Sequence, residues 1–367
     1  MITQIEPWID ENELIELKRV INSTFVVEHE LTKEFEQMTK EMTGAKYAIA
    51  YTNGTMALYA SLIALGIKKN DEVIVPNITF VATANAVILA GAKPVLCEVR
   101  EDTFTIDIKK AKKLITNKTK MIIPVHLYGQ SADMDEVLIF AKKYNLKILE
   151  DAAQGVGVRF NNQHTGTYGD MGILSYYGNK TITTGEGGII VTNSEKLAKE
   201  VYKLKNHGRD VKGTFIHECI GFNFGFTEMQ AAIGISQMKK LPKIIAKKQK
   251  IHDLYEKELS NIGDFKIAFL DKRSTPVFWF TSFTTDYVNE LIDYLAEYKI
   301  QTRRFFYPLH LQPCYADKKH IKNIDDDFSI SERVYKRGVS LPSSYGLTIE
   351  DQYVVINKIK RFYESRD

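Results

Sequence analysis

Two residues in this sequence are of types, and in settings, that could do covalent chemistry together. Leu146 to Asp151 is a short apolar run that ends in two acids, Glu150 and Asp151. Lys180 follows, between an apolar segment and the Gly-rich turn Gly185-Glu-Gly-Gly. A lysine amine can condense with an aldehyde, and an acid at the tip of a buried strand can keep a heterocyclic nitrogen protonated. Those are the two requirements of a pyridoxal phosphate site: a Schiff-base lysine, and a carboxylate that keeps the pyridine ring an electron sink. A lysine among apolar neighbours also loses part of its proton affinity, which makes it usable as nucleophile and base. The competing reading of Lys180 is a surface lysine in a Gly-rich loop.

The surrounding segments could hold such a pair. Tyr47-Ala-Ile-Ala reads as a strand, and the small-residue turn Tyr51-Thr-Asn-Gly-Thr leads into MALYASLIALGI, a helix apolar almost all round and therefore buried. Strand, turn and helix N-terminus in that order present free backbone N–H groups to an anion. Further strands are expected at Asp71–Pro76, Lys93–Val99, Met121–Gly129, Ile148–Asp151, Ile173–Tyr177 and Ile189–Thr192. Strands alternating with helices at this spacing argue for a parallel sheet covered on both faces. Functional groups in such sheets gather at the carboxyl ends of strands, which is where Asp151 lies. Phe80 follows a strand end, where an aromatic ring can stack on a planar ligand or simply fill the core. Gly155-Val-Gly157 starts like a dinucleotide fingerprint, but the third glycine position is Phe160, so that reading fails.

Helices are expected over Asp10–Thr24, from the spacing of Leu14, Leu17, Val20 and Ile21, and over Glu28–Met42, Ala198–Lys205, Leu241–Leu259 and Val288–Tyr298. Val277–Thr284 reads as a strand. The dense basic run Lys239, Lys240, Lys243, Lys247, Lys248 and Lys250 reads as a solvated helix face. A domain boundary is placed at the start of the Leu241 helix, giving a large domain over 1–240 and a small one over 241–367.

The stretches EDAAQGVG and GTYGDMGILSYYGNKTITTGEGG resemble the DegT/DnrJ/EryC1/StrS sugar aminotransferases, enzymes of fold-type I. The resemblance covers nearly the whole chain. It implies an α/β fold like that of aspartate aminotransferase: a large domain with a mainly parallel seven-stranded sheet, and a smaller α+β C-terminal domain. It implies pyridoxal 5'-phosphate as cofactor, with Lys180 as the Schiff-base lysine and Asp151 on the ring nitrogen. Gly54, Thr55 and Ser175 would hold the phosphate, Phe80 would stack on the ring and Gln154 would bond its hydroxyl. Asn223 would cross a dimer interface to the partner's cofactor phosphate, so a homodimer with shared sites is implied. Thr302-Arg-Arg-Phe-Phe-Tyr-Pro-Leu-His matches a loop at the sugar end, with Arg303 and His310 as candidates.

The activity implied is transfer of the amino group of L-glutamate to a nucleotide-linked 4-keto-6-deoxyhexose, giving a perosamine-type amino sugar for a surface polysaccharide. Two departures bear on the acceptor. Gly225 stands where the family often has a basic residue, and the segment from Phe265 to Phe278 is short. The same chemistry on a 3-keto sugar or a smaller keto phosphate is therefore an alternative. A cofactor-binding regulator or a dehydratase relative is a third, and the dehydratases replace this lysine with histidine.

Composition narrows the remaining classes. Lys+Arg 49 against Asp+Glu 46 leaves a net charge of +3, too balanced to point to nucleic acid. Cys97, Cys219 and Cys314 are far apart and odd in number, so neither a disulfide framework nor a metal site is expected. No apolar run reaches about 18 residues, so no membrane span is expected. The acidic start MITQIEPWIDENELIEL is unlike a secretory leader, and a cytoplasmic location follows as the expectation.

Overall fold

The computed structural model describes residues 1–211 and 213–366. Its main sheet has seven strands: β1 (Tyr47–Tyr51), β2 (Glu72–Pro76), β3 (Lys93–Cys97), β4 (Thr119–Ile122), β5 (Lys147–Asp151), β6 (Met171–Ser175) and β7 (Gly188–Thr192). Their order is β1-β7-β6-β5-β4-β2-β3. All neighbours are parallel except β7, which runs antiparallel to both β1 and β6. The expected α/β fold with a mainly parallel seven-stranded sheet is what forms. These strands are buried along most of their length, as expected of strands covered on both faces.

Helices α1 (Glu11–Ser23), α2 (Glu30–Thr43), α3 (Gly54–Ala64), α4 (Ala82–Leu89), α5 (Met134–Tyr144) and α6 (Glu195–Lys205) belong to this part of the chain. The sheet separates two apolar layers. Ile49, Leu62, Val73, Ile173 and Ile190 meet α3 and α4 in one, and Ala50, Leu174, Ile189 and Val191 meet α2 in another. The first contains α3, whose residues are apolar on all sides.

α7 (Glu228–Leu259) then runs 32 residues without a break. The sequence reading starts this helix at Leu241. The structure starts it thirteen residues earlier, at a capping box in which Thr227 and Gln230 bond each other's backbone N–H. Pro242 removes one helical bond in the interior, at a cost of roughly 3 kcal/mol. Packing on both sides offsets that: Ala231, Ile235 and Leu241 join the core beside the main sheet, and Ile251, Tyr255 and Leu259 join a second core. That second core lies under a four-stranded antiparallel sheet, β8 (Lys266–Ile267), β9 (Thr281–Thr284), β10 (Arg303–Arg304) and β11 (Gly338–Leu341), in the order β8-β9-β11-β10. Val288–Glu297 and Ile349–Glu364 are its helices. Only the last four residues of the expected Val277–Thr284 strand pair in a sheet.

Two expectations about helix faces are corrected. Leu14 and Ile21 of α1 are exposed, while Glu13, Glu16 and Val20 face inward. The reason is α7: Lys240 Nζ bonds both oxygens of Glu13 at 2.8 and 2.7 Å, Ser236 and Gln237 add two more bonds, and Lys239 Nζ reaches Glu16 at 2.7 Å. The Lys239–Lys250 run is accordingly not one solvated face. Lys240 and Lys248 are buried, Lys240 on Glu13 and Lys248 on two backbone carbonyls.

The two acids at the end of β5 diverge because successive strand residues point to opposite faces. Glu150 is fully buried and accepts bonds from the N–H groups of Gly166, Tyr168 and Gly169 at 2.6–2.7 Å. It also takes one from His126 Nε2 at 3.0 Å. His126 Nδ1 accepts from Ala132 N, so the hydrogen on Nε2 is the one that Glu150 receives. Glu150→Ala would strand these donors in the interior. It is expected to lower stability by on the order of 3 kcal/mol, read from urea unfolding, while leaving cofactor retention in the folded protein unchanged. A loss below about 1 kcal/mol would mean that water satisfies them.

Candidate active site

The C-terminal ends of β1, β5 and β6 open on one cavity of about 440 Å³. The register of three strands fixes its floor: Tyr51 of β1 lies opposite Gly188 of β7, and Gly188 lies opposite Ser175 of β6. Gly188 is required there, since a Cβ would sit 2.6 Å from Asn53 C and O and 2.7 Å from Gly54 N. The turn out of β1 is thus pressed against the sheet, and α3 begins beside Ser175. A Cβ on Gly54 would meet Ser175 Cβ at 3.2 Å.

The N–H groups at the start of α3 have no helical partners; the helical ladder begins with Ala57 N–H on Asn53 O at 3.1 Å. Met56 N–H goes to the Asn53 side chain at 2.9 Å. The N–H groups of Gly54 and Thr55 remain, on residues that line the cavity together with Ser175. Two backbone donors at the positive end of a helix and one hydroxyl are the donor set a phosphate monoester needs.

Asp151 reaches the cavity from β5 with its carboxylate already oriented. Thr83 Oγ1 donates to Oδ2 at 2.7 Å and Ala153 N to Oδ1 at 3.1 Å, and Thr79 lies 3.0 Å behind Thr83. Gln154 accepts from Tyr128 N at 2.7 Å through Oε1, which fixes the amide so that its NH₂ end is the free donor. Phe80 is 53% exposed and forms a cavity wall, tilted against Phe306 at 5.9 Å.

Lys180 sits in a loop that is bonded at many points. Its N–H donates to Tyr177 O, Tyr176 N–H to Gly187 O, Thr184 N–H to Tyr176 O, and Gly185 N–H to Thr183 Oγ1. Burial pulls its amine down to about 8, against the opposing pull of Asp151, while the Arg303 cation lowers it further. An amine in that range is partly unprotonated near neutrality.

The cavity lining gathers Gly54, Thr55, Phe80, Asp151, Gln154, Ser175, Lys180 and Arg303. It also contains two residues that sequence reading did not single out, Trp279 and Phe306. The Trp279 indole N–H donates to Asn179 O at 2.6 Å and its ring lies 4.3 Å from Lys180 Nζ. Arg303 stands 5.3–5.6 Å from the rings of Trp279, Phe280 and Phe306, and among the described residues no carboxylate pairs with it. Trp279 falls within the expected Val277–Thr284 strand, whereas the structure puts it in an irregular stretch just before β9, held by Val277 N–H on Gly129 O.

Two candidates lie elsewhere. His310 is turned away from the cavity: its ring bonds Asn77 at 2.8 Å and approaches Glu332 at 3.6 Å, and Asn77 Oδ1 takes its backbone N–H. Asn223 is exposed, in a loop bridged to Asn206, with its Oδ1 on Gly225 N. Among the described residues, the one group of side chains spaced to hold a metal ion is His252, Asp253 and Glu256, in the C-terminal half of α7 with His252 buried. No helix of the described residues is long and apolar enough to cross a membrane.

The DegT/DnrJ/EryC1/StrS aminotransferase family pattern matches residues 7–360. GDP-perosamine synthase of Escherichia coli O157:H7 is 36% identical over 342 residues, covering 91% of this chain and 90% of that protein. GDP-perosamine synthase of Caulobacter vibrioides is 38% identical over 363 residues, covering 95% of each. The crystal structure of S. venezuelae DesV, in complex with a ketimine intermediate, superposes with a TM-score of 0.92 at 29% identity, covering 99% of both chains.

Because Gly188 holds the turn of α3 against the sheet, Gly188→Ala should displace Asn53 and Gly54. Retention of pyridoxal phosphate is expected to weaken by about tenfold, some 1.4 kcal/mol, in a fluorescence titration. Unchanged affinity would mean that the turn does not hold the phosphate.

Proposed function

The chain belongs to the DegT/DnrJ/EryC1/StrS aminotransferase family and is a pyridoxal phosphate-dependent aminotransferase; on that premise we propose that its donor is L-glutamate and its acceptor a nucleotide-linked 4-keto-6-deoxyhexose. The convergence of Asp151, Lys180 and the N–H groups of Gly54 and Thr55 on one cavity supports the chemistry, while the acceptor rests on a separate observation. The names of the relatives, GDP-perosamine synthases at 36–38% identity, support the acceptor.

The residues fit the cofactor. Gly54 N–H, Thr55 N–H and the Ser175 hydroxyl would hold its phosphate. Asp151, held from behind by Thr83 and Ala153, would receive its ring N–H, Gln154 would donate to its hydroxyl, and Phe80 would cover one face. When bound, the cofactor supplies a protonated ring that takes up the electron pair released as a Cα–H bond breaks.

Lys180 has two tasks. It would tether the cofactor, and once free its amine would take the proton from the donor's Cα and deliver it to C4′, the cofactor carbon to which the lysine had been attached. An amine at about 8 suits both directions, since each protonation state is accessible near neutrality. Arg303, a cation without a carboxylate partner in the wall, would receive an anionic group of donor or acceptor. Trp279 and Phe306 keep water from that side.

A second acceptor reading, a 3-keto sugar or a smaller keto phosphate, is favoured by Gly225, which brings no cation to the loop beside Asn223. Mixing the protein, loaded with pyridoxamine phosphate, with a panel of keto sugars and keto phosphates separates the two. We expect return of the absorbance of the pyridoxal form with a 4-keto-6-deoxy nucleotide sugar. Return only with another class would replace the acceptor assignment. Borohydride reduction before peptide mapping should leave the pyridoxyl label on Lys180, and a label on any other lysine would end the site assignment.

The proposed assembly is a homodimer in which Asn223 reaches the partner's cofactor phosphate. Its exposure supports this, as do apolar side chains left open on the same chain: Leu14, Ile15 and Ile21 of α1, and Phe25 and Val27 just after it. Val27 pairs with Thr227, so that strip adjoins the Asn223 loop. Co-expression of Lys180→Ala with Asn223→Ala gives the check. With shared sites, each heterodimer has one doubly defective site and one intact site, so activity should return to about half of a normal dimer. Isolated heterodimers no better than either parent would sink the shared site.

A further inference from the structure

Lys248 is unusual among the charged groups of the molecule. It lies in the middle of α7, 3% exposed, and among the described residues no carboxylate pairs with it. Its ammonium instead donates to two backbone carbonyls, Trp279 O at 3.0 Å and Ser343 O at 2.9 Å. Burial pulls it down to about 7. A buried amine with only carbonyl partners is costly to keep, and an apolar side chain of similar length would fill the volume. Its position therefore asks for a role in placing those carbonyls.

Both carbonyls belong to segments without sheet pairing of their own. Ser343 is bound from two sides: its hydroxyl donates to Leu341 O and accepts from Thr281 N–H. Its N–H donates to Gln4 O. Trp279 has its backbone carbonyl on Lys248 and its indole N–H on Asn179 O, the residue next to Lys180. The indole face then stands 4.3 Å from Lys180 Nζ, with Arg303 5.3 Å from the same ring. The chain of contacts thus runs from α7 through Lys248 and Trp279 to the loop that carries Lys180.

We propose that Lys248 and Trp279 are positioning residues for Lys180: Lys248 fixes the backbone of Trp279, and the indole in turn fixes the Lys180 loop and shields the amine from water. This rests on the assignment of Lys180 as the cofactor lysine. Among the influences on that amine burial is the largest, ahead of Asp151 and Arg303. Loss of the indole's hold therefore admits water and restores proton affinity. The weaker cation–π attraction of a displaced ring acts the other way and is the smaller effect beside burial.

The test uses the full-length protein in its pyridoxamine phosphate form, in which the Lys180 amine is free. Competitive acetylation across a pH series, read by mass spectrometry on the Lys180 peptide, gives the midpoint of that amine. Trp279→Phe keeps a ring but loses the bond to Asn179 O; Lys248→Met keeps the volume but loses both donors. Each is expected to raise the midpoint above that of the wild-type protein in the same form, toward the ordinary lysine value of 10.5, and the double variant is expected to add little to the larger single shift. If Lys248→Met does not fold, Lys248→Gln, which retains one N–H₂ group, takes its place with a smaller expected shift. A folded Lys248 variant with lowered thermal stability but an unmoved Lys180 midpoint would make Lys248 structural only. An unmoved midpoint in Trp279→Phe would overturn the role of the indole. Borohydride mapping of the wild-type pyridoxal form keeps the two readings apart. A label elsewhere than Lys180 defeats the site assignment, whereas a label on Lys180 with unmoved midpoints defeats only this inference.

Discussion

The site depends on the register of one antiparallel strand. β7 enters the sheet between β1 and β6, and Gly188 at its start stands level with Tyr51 on one side and Ser175 on the other. That alignment brings the ends of two strands, remote in sequence, to one height. The turn after β1 can then deliver the first N–H groups of α3 next to the Ser175 hydroxyl. A slip of one residue would turn every side chain of β7 to the opposite face and would put a Cβ where Asn53 and Gly54 must lie. β5 adds the acid from the neighbouring position, and the loop between β6 and β7 adds the lysine. The turn out of β1, the end of β5 and the loop between β6 and β7 thus hold the anion donors, the carboxylate and the amine around one volume.

Much of this was legible because strand ends and glycine turns leave a local mark. Gly54, Ser175, Asp151 and Lys180 are each flanked by an apolar run that stops abruptly, and each lies where such a run would place it. The divergence of Glu150 from Asp151 also follows from strand alternation. Which of the two faces the cavity does not, because that choice is made by Gly166, Tyr168 and Gly169, whose N–H groups claim Glu150.

What escaped reading was decided by partners distant in sequence. α1 looks amphipathic through Leu14 and Ile21, yet it turns Glu13 and Glu16 inward, because α7 offers Lys239, Lys240, Ser236 and Gln237 to meet them. The helix read from Leu241 starts instead at the Thr227–Gln230 capping box, thirteen residues earlier. His310 has the chemistry of a site residue, and Asn77, more than two hundred positions away, turns it aside. Trp279 reads as part of a strand, and strand alternation gives no hint that its indole would leave the sheet to form the wall beside Lys180.

The unbroken run of α7 has a mechanical consequence. At 1.5 Å per residue its 32 residues span roughly 48 Å, and its two halves are buried in different apolar cores. It behaves as a shaft clamped at both ends. Pivoting of the C-terminal sheet relative to the main sheet cannot be taken up by a slack linker at this crossing; it has to flex the shaft itself. The softest point is Pro242, where the ladder lacks a rung. Lys248 lies less than two turns beyond that point, so any flexure there is transmitted to the carbonyl of Trp279 and onward to the wall beside Lys180.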